Sequence, residues 1–156
     1  MKTIQNQLEI QLPPEVGQDL NATLVDLIAL ALVGKQAHWN VVGPHFRTVH
    51  LHLDEIVETA RTFGDEIAER AVAIGAFPNG QPEAVAKTTK VPQLPEGQIR
   101  DHDAVERICE ALTATILGMR QRLERLGEND PVSQDIVIDA TKSLEKHLWM
   151  LRSSIG

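Results

Sequence analysis

Five side chains in the first half of this 156-residue chain have the types and spacing of metal ligands: His38, His50, Asp54, Asp65 and Glu69. His50 and Asp54 are four residues apart on one long helical segment, and so are Asp65 and Glu69. An i, i+4 spacing stacks two side chains on one helix face, as a shared ligand site requires. Imidazole and carboxylate donors without thiolate select iron, manganese or zinc over a sulfur-ligated centre. Alone, an acidic i, i+4 pair is more often a solvated helix face, and a single His at a helix end is more often a cap.

Helix geometry sharpens the reading. Asp54 and Asp65 are 11 residues apart, which is about 16 Å along an axis rising ~1.5 Å per residue. Eleven residues nearly close three turns, so both clusters face the same way yet cannot reach one ion from a single helix. An antiparallel copy of the helix would bring Asp65 and Glu69 opposite His50 and Asp54. The spacing therefore favours a site shared between two subunits across a two-fold axis.

The elements that must position these residues are helical. The first helix begins after Pro13-Pro14 and carries Leu20, Leu24, Leu27, Ile28, Ala31 and Leu32 toward His38 at helical periodicity. Gly43-Pro44 interrupts it, and Pro44 is expected in the first turn of a second helix running to about Gly75. Its apolar stripe is Phe46, Val49, Leu53, Ile56, Val57, Ala60, Ile67 and Ala71. Residues 76–100 are rich in Pro and Gly, with only the stretch PEAVAK offering a short helix. Such a connection suits a crossover from one end of a bundle to the other. A third helix starts near Asp101 or Asp103 and continues to Gly127, whose glycine would cap it. Asp130-Pro131, a cap followed by a first-turn proline, opens a fourth helix to about Ser153. No strand-like alternation competes. The fold class is all-α: a four-helix bundle with one long crossover containing a short helix. One domain spans residues 13–156 behind a short tail at 1–12.

Composition narrows the functional classes. The N-terminal residues MKTIQNQLEIQL contain no apolar signal core, and no later stretch is expected to span a bilayer. The single Cys109 lies in the pattern Val105, Ile108, Cys109, Leu112, Ile116, as a small core residue would. One cysteine cannot form an internal disulfide, and a reducing cytoplasm fits. A net charge of −7 argues against generic binding to nucleic acid or anionic membrane.

The run Lys35-Gln36-Ala37-His38-Trp39-Asn40-Val41-Val42-Gly43-Pro44-His45-Phe46, followed by His50, Asp54, Asp65 and Ala68-Glu69-Arg70, resembles the Dps family of mini-ferritins. The segments Asp130-Pro131-Val132-Ser133-Gln134-Asp135-Ile136 and Leu144-Glu145-Lys146-His147-Leu148-Trp149 extend the resemblance to the last helix. It implies a ferritin-like fold and a hollow homo-oligomer, a dodecamer. It further implies an enzyme that oxidises Fe(II), preferably with hydrogen peroxide, and stores ferric mineral inside, protecting against oxidative damage. His38, His50 and Asp54 would come from one subunit, and Asp65 and Glu69 from its two-fold partner. Iron is the expected metal; zinc suits the same donors and stands as a competitor.

Several residues keep two readings. Trp39 is an interface anchor, or it stands beside the iron site to quench a radical; with no tyrosine in the chain, Trp39 and Trp149 are its strong candidates for that work. Lys35 either pairs with a site carboxylate or is a plain surface lysine. His45 and His102 are expected to cap or face solvent, with an accessory ion as the alternative. His52 is about 200° around the helix from His50 and cannot share its site. His147 is expected at a subunit contact. Asp130, Asp135 and Asp139 form a second acidic set. Asp130 reads as an N-cap, and in the resembled family acids at this place line a three-fold pore that draws cations inward.

The same family contains DNA-condensing members, in which binding depends on a tail rich in lysine or arginine. This sequence has only Lys2 in its first dozen residues, and only Ser153-Ser154-Ile155-Gly156 after Arg152. DNA binding is therefore the lesser expectation.

Overall fold

The computed structural model describes residues 10–155. Helix α1 spans Pro14–Asn40, α2 Phe46–Ala73, α3 Pro82–Thr88, α4 Asp101–Asn129 and α5 Pro131–Ile155. Helices α1, α2, α4 and α5 form the bundle: α1 packs on α2 and α4, and α5 on α4 and α2. The short α3 lies in the crossover and packs on α1. The expected all-α bundle with a helix-bearing crossover is the fold. Most of the expected tail, residues 1–9, lies outside the described residues.

The centre is filled by Leu20, Leu27 and Leu30 of α1, Leu53, Ile56 and Ile67 of α2, Ile108, Leu112 and Met119 of α4, and Leu144 and Leu151 of α5, all fully buried. Cys109 is buried beside them, and its burial pushes the thiol pKa up, as for an inert core thiol. Contrary to the sequence expectation, helix α1 is long and apolar enough to cross a bilayer. Its apolar character serves the bundle instead, because most of that stretch is buried and the helix packs on both α2 and α4.

Two acids on α1 would be costly in that core without partners. Asp19 receives both Nε and Nη2 of Arg125, at 3.1 and 2.6 Å. Asp26, 3% exposed, accepts from Arg122 Nη2 at 2.9 Å and also takes Thr89 Oγ1 and the Lys90 N–H from the crossover. The crossover is thereby tied to the bundle by charge as well as by α3.

Three local expectations change. Val41–Val42 (β1) and Ile99–Arg100 (β2) pair in parallel, Val41 opposite Ile99 and Val42 opposite Arg100. This stitches the end of the crossover to the end of α1. Pro44 sits in the turn before α2, whose N-cap is His45, not inside the first helical turn. Helix α4 runs through Gly127 to Asn129 and is capped at Asp130. Gly127 leaves room for the Gln134 side chain, whose amide reaches back to the Leu123 carbonyl at 3.0 Å.

Gly43 is needed for conformation. Its φ of 141° disfavours a side chain, and a Cβ would meet the Asp101 carboxylate. That carboxylate accepts the His45 N–H at 2.6 Å and the His102 N–H at 2.9 Å, joining the starts of α2 and α4.

Candidate metal centre

The last turns of α1 and the first turns of α2 bring Lys35, His38, His50 and Asp54 together. His38 Nδ1 lies 2.9 Å from the His50 carbonyl, and His50 Nδ1 lies 2.9 Å from the His38 carbonyl. A carbonyl only accepts, so each Nδ1 carries the hydrogen. In the neutral rings each Nε2 then has a free lone pair, the form in which imidazole binds a metal. The two rings stack with centroids 3.6 Å apart, and Phe46 leans on His50 at 4.9 Å. Both imidazoles are thus aimed by the backbone itself.

Asp54 Oδ1 is 3.3 Å from His38 Nδ1 and forms an ion pair with Lys35 Nζ. That ammonium, with smaller help from the imidazoles and against some desolvation, holds the Asp54 carboxyl below the usual carboxylate range. Of the two readings of Lys35, partner to a site carboxylate is the one observed. Trp39 is adjacent and 70% exposed.

Asp65 and Glu69 are exposed on α2, three turns beyond Asp54. One chain does not bring them to the imidazole pair. Beside Asp65 runs an open groove of about 330 Å³ lined by Leu27, Ile28, Ala31, Leu32 and Gly64, and Leu32 on its rim is exposed.

The second acidic set divides. Asp130 is buried: Arg70 Nη2 reaches its Oδ2 at 2.7 Å, and the Ser133 hydroxyl donates to the same oxygen. Burial raises its pKa, but Arg70 and the Ser133 hydroxyl and N–H together outweigh it and leave the carboxyl below its ordinary value. Asp130 immediately precedes α5, and its carbonyl accepts the Gln134 N–H at 3.0 Å, which is the N-cap position anticipated for it. Asp135 and Asp139 are exposed on α5, and Asp139 pairs with Lys142 at 2.6 Å. His45 and His102 are exposed; His102 Nδ1 stands 3.9 Å from both Asp103 and Glu106, a loose group open to solvent.

A sequence profile described as the ferritin-like domain matches residues 17–156. Over 137 residues the chain is 37% identical to the DNA protection during starvation protein of Agrobacterium fabrum, covering 87% of this chain and 85% of that one. This chain belongs to the Dps family of mini-ferritins. It is also 39% identical to the fine tangled pili major subunit of Haemophilus ducreyi, over 90% of this chain and 74% of that protein. The solved structure of Dps from Microbacterium arborescens in a high iron form superposes with a TM-score of 0.86 at 31% identity, covering 92% of this chain and 96% of that one. Iron storage and stress protection are the general business of the Dps family.

One group in this Dps-family chain escaped sequence reasoning. His52 Nε2 and His147 Nδ1 meet at 3.1 Å between α2 and α5, within one chain. Burial holds both imidazoles below their ordinary pKa, with Glu55 opposing it at each. The i, i+3 spacing of His52 and Glu55 was a signal in the sequence; the register of α5 against α2, which adds His147, was not.

Proposed function

We propose that this Dps-family protein is a ferroxidase that oxidises Fe(II) with hydrogen peroxide at sites shared between two subunits, and stores the ferric product inside a closed dodecamer. The observation that carries this reading is the pair of Nε2 lone pairs on His38 and His50, set beside the ionised Asp54. Iron is the substrate. The imidazoles receive the divalent ion, and the carboxylates favour the ferric product. Asp54 stays ionised without iron because Lys35 neutralises it; the incoming cation takes over that work. Asp65 and Glu69 of the neighbouring subunit complete the ligand set across a two-fold axis, with the exposed Leu32 and Trp39 covered by the same contact. Two ferrous ions each give one electron to one peroxide, which leaves as two hydroxide ions, so no hydroxyl radical is released.

Asp135 and Asp139, repeated around a three-fold axis, would focus a negative potential that draws Fe(II) inward. Asp130 contributes less there, since its charge is met by Arg70. Its part is to hold the start of α5.

A second reading, DNA protection, is favoured by the name of the Agrobacterium relative. The chain's charge opposes it, at 22 acidic against 15 basic residues. Three arginines of α4 are each met by an acid: Arg120 by Glu145, Arg122 by Asp26 and Arg125 by Asp19. The test of the main reading is anaerobic Fe(II) loading followed by peroxide, with ferric absorbance and particle size recorded. Rapid ferric formation in a particle of about twelve chains supports it; slow oxidation equal to that of free Fe(II) defeats it.

A further inference from the structure

We propose that His52, Glu55 and His147 form a second metal site, contained within one subunit, for a divalent transition-metal ion of the zinc, cobalt or ferrous class. One donor atom from each residue lies within 4.8 Å of the others. His52 and Glu55 share a face of α2 at i, i+3, and α5 supplies His147. His52 points about 200° around α2 from His50, so this group is separate from the His38–His50–Asp54 cluster.

Hydrogen-bond accounting assigns the ring form of His147. The Thr59 hydroxyl donates its only hydrogen to the Glu55 carbonyl at 2.9 Å. Its contact with His147 Nε2 at 3.0 Å must then run the other way, from the ring N–H to the Thr59 oxygen. His147 therefore keeps its hydrogen on Nε2 and presents a bare lone pair at Nδ1. This is the orienting hydrogen bond that metal-bound histidines make through their other nitrogen.

That lone pair faces His52 Nε2 at 3.1 Å. Without a metal, His52 Nε2 must donate a hydrogen there. With a metal, the hydrogen moves to His52 Nδ1 and the ion takes its place between the rings. The separation suits the exchange. Two nitrogens bound at about 2.0–2.1 Å stand roughly 3.3 Å apart in a tetrahedral site and about 2.9 Å apart when cis in an octahedral one. The rings are already spaced for an ion to bridge them. Two imidazoles and one carboxylate are donors that such ions accept. Glu55 is exposed and both rings are half-buried, which leaves coordination positions open to water. His52 also lines a cavity of about 300 Å³ with His45, Thr48 and His102, giving a dissolved ion a path to the ring.

The test is a titration of the full-length assembled protein with Co(II), reading its visible absorption bands. The background carries His50→Ala and Asp65→Ala, so that the shared iron site is crippled and its failure cannot be mistaken for this one. The background should bind about one Co(II) per chain in a nitrogen-rich site. Adding Glu55→Gln or His147→Ala should abolish the signal. Adding Thr59→Val, which removes only the orienting oxygen, should weaken affinity about tenfold. Glu55 is a solvent-facing side chain, so its variant reports on the site even where His147→Ala fails to fold. The proposal is overturned if the background takes up no Co(II), or if the Glu55→Gln protein binds it as the background does.

Discussion

Metal-binding competence at the His38–His50 pair rests on where two hydrogens sit. Each ring gives its Nδ1 hydrogen to the carbonyl of the other residue, so the neutral tautomer that carries its hydrogen on Nε2 would break a backbone contact. Replacing His50 with Ala removes one lone pair and frees the His38 carbonyl. We expect peroxide-driven iron oxidation to fall by roughly tenfold or more, with the particle still assembled. Ferric absorbance after rapid mixing measures it, and a wild-type rate would remove His50 from the site. Histidine, aspartate and glutamate types, and their i, i+4 spacings, were legible in the sequence because helix geometry is periodic. The reciprocal tautomer lock was not, since it depends on carbonyls from two different helices. Nor was the ion pair that occupies Asp130, which depends on Arg70 sixty residues away.

At the scale of elements, the bundle could be read because apolar residues recur at the helical period over four segments. The β1–β2 pair could not, since two-residue strands have no period to detect. Beside it, the buried carboxylate of Asp101 joins the starts of α2 and α4. The His45 N–H, then that of His102, holds the Asp101 carboxyl below the ordinary carboxylate range against the desolvation that opposes it. The stabilisation is therefore full at neutral pH and above the unfolded pKa. It disappears as the pH falls through the lowered folded value. Asp101→Asn should be less stable than wild type at neutral pH, and its stability should change less on acidification. Urea unfolding at a series of pH values gives the comparison; parallel curves for the two proteins would show that Asp101 does not couple folding to pH.

At the scale of the whole molecule, charge directs what approaches. Asp135→Asn with Asp139→Asn keeps side-chain size while removing the attracting potential. Iron should then reach the interior more slowly at low ionic strength, and the difference should shrink as salt rises. Equal filling of variant and wild type at low salt would reduce these acids to ordinary surface residues. Duplex DNA meets the same charge with the opposite result. With a net charge of −7 per chain and the α4 arginines ion-paired, a gel-shift titration in EDTA at moderate salt should show no retardation of plasmid. Clear retardation at low micromolar protein would restore the DNA-protective reading.

The central claim is that two chains build each iron site, and mixing two crippled chains tests it most directly. One chain carries His50→Ala and Asp54→Ala, the other Asp65→Ala and Glu69→Ala, so that every site in either pure assembly lacks two of its five ligands. Across a two-fold interface between unlike chains, one of the two sites receives both intact halves. Random co-assembly should therefore recover about a quarter of the wild-type rate of peroxide-driven iron oxidation, while each parent assembly remains nearly inactive. A mixture no faster than its parents, in particles shown to contain both chains, would contradict the shared site.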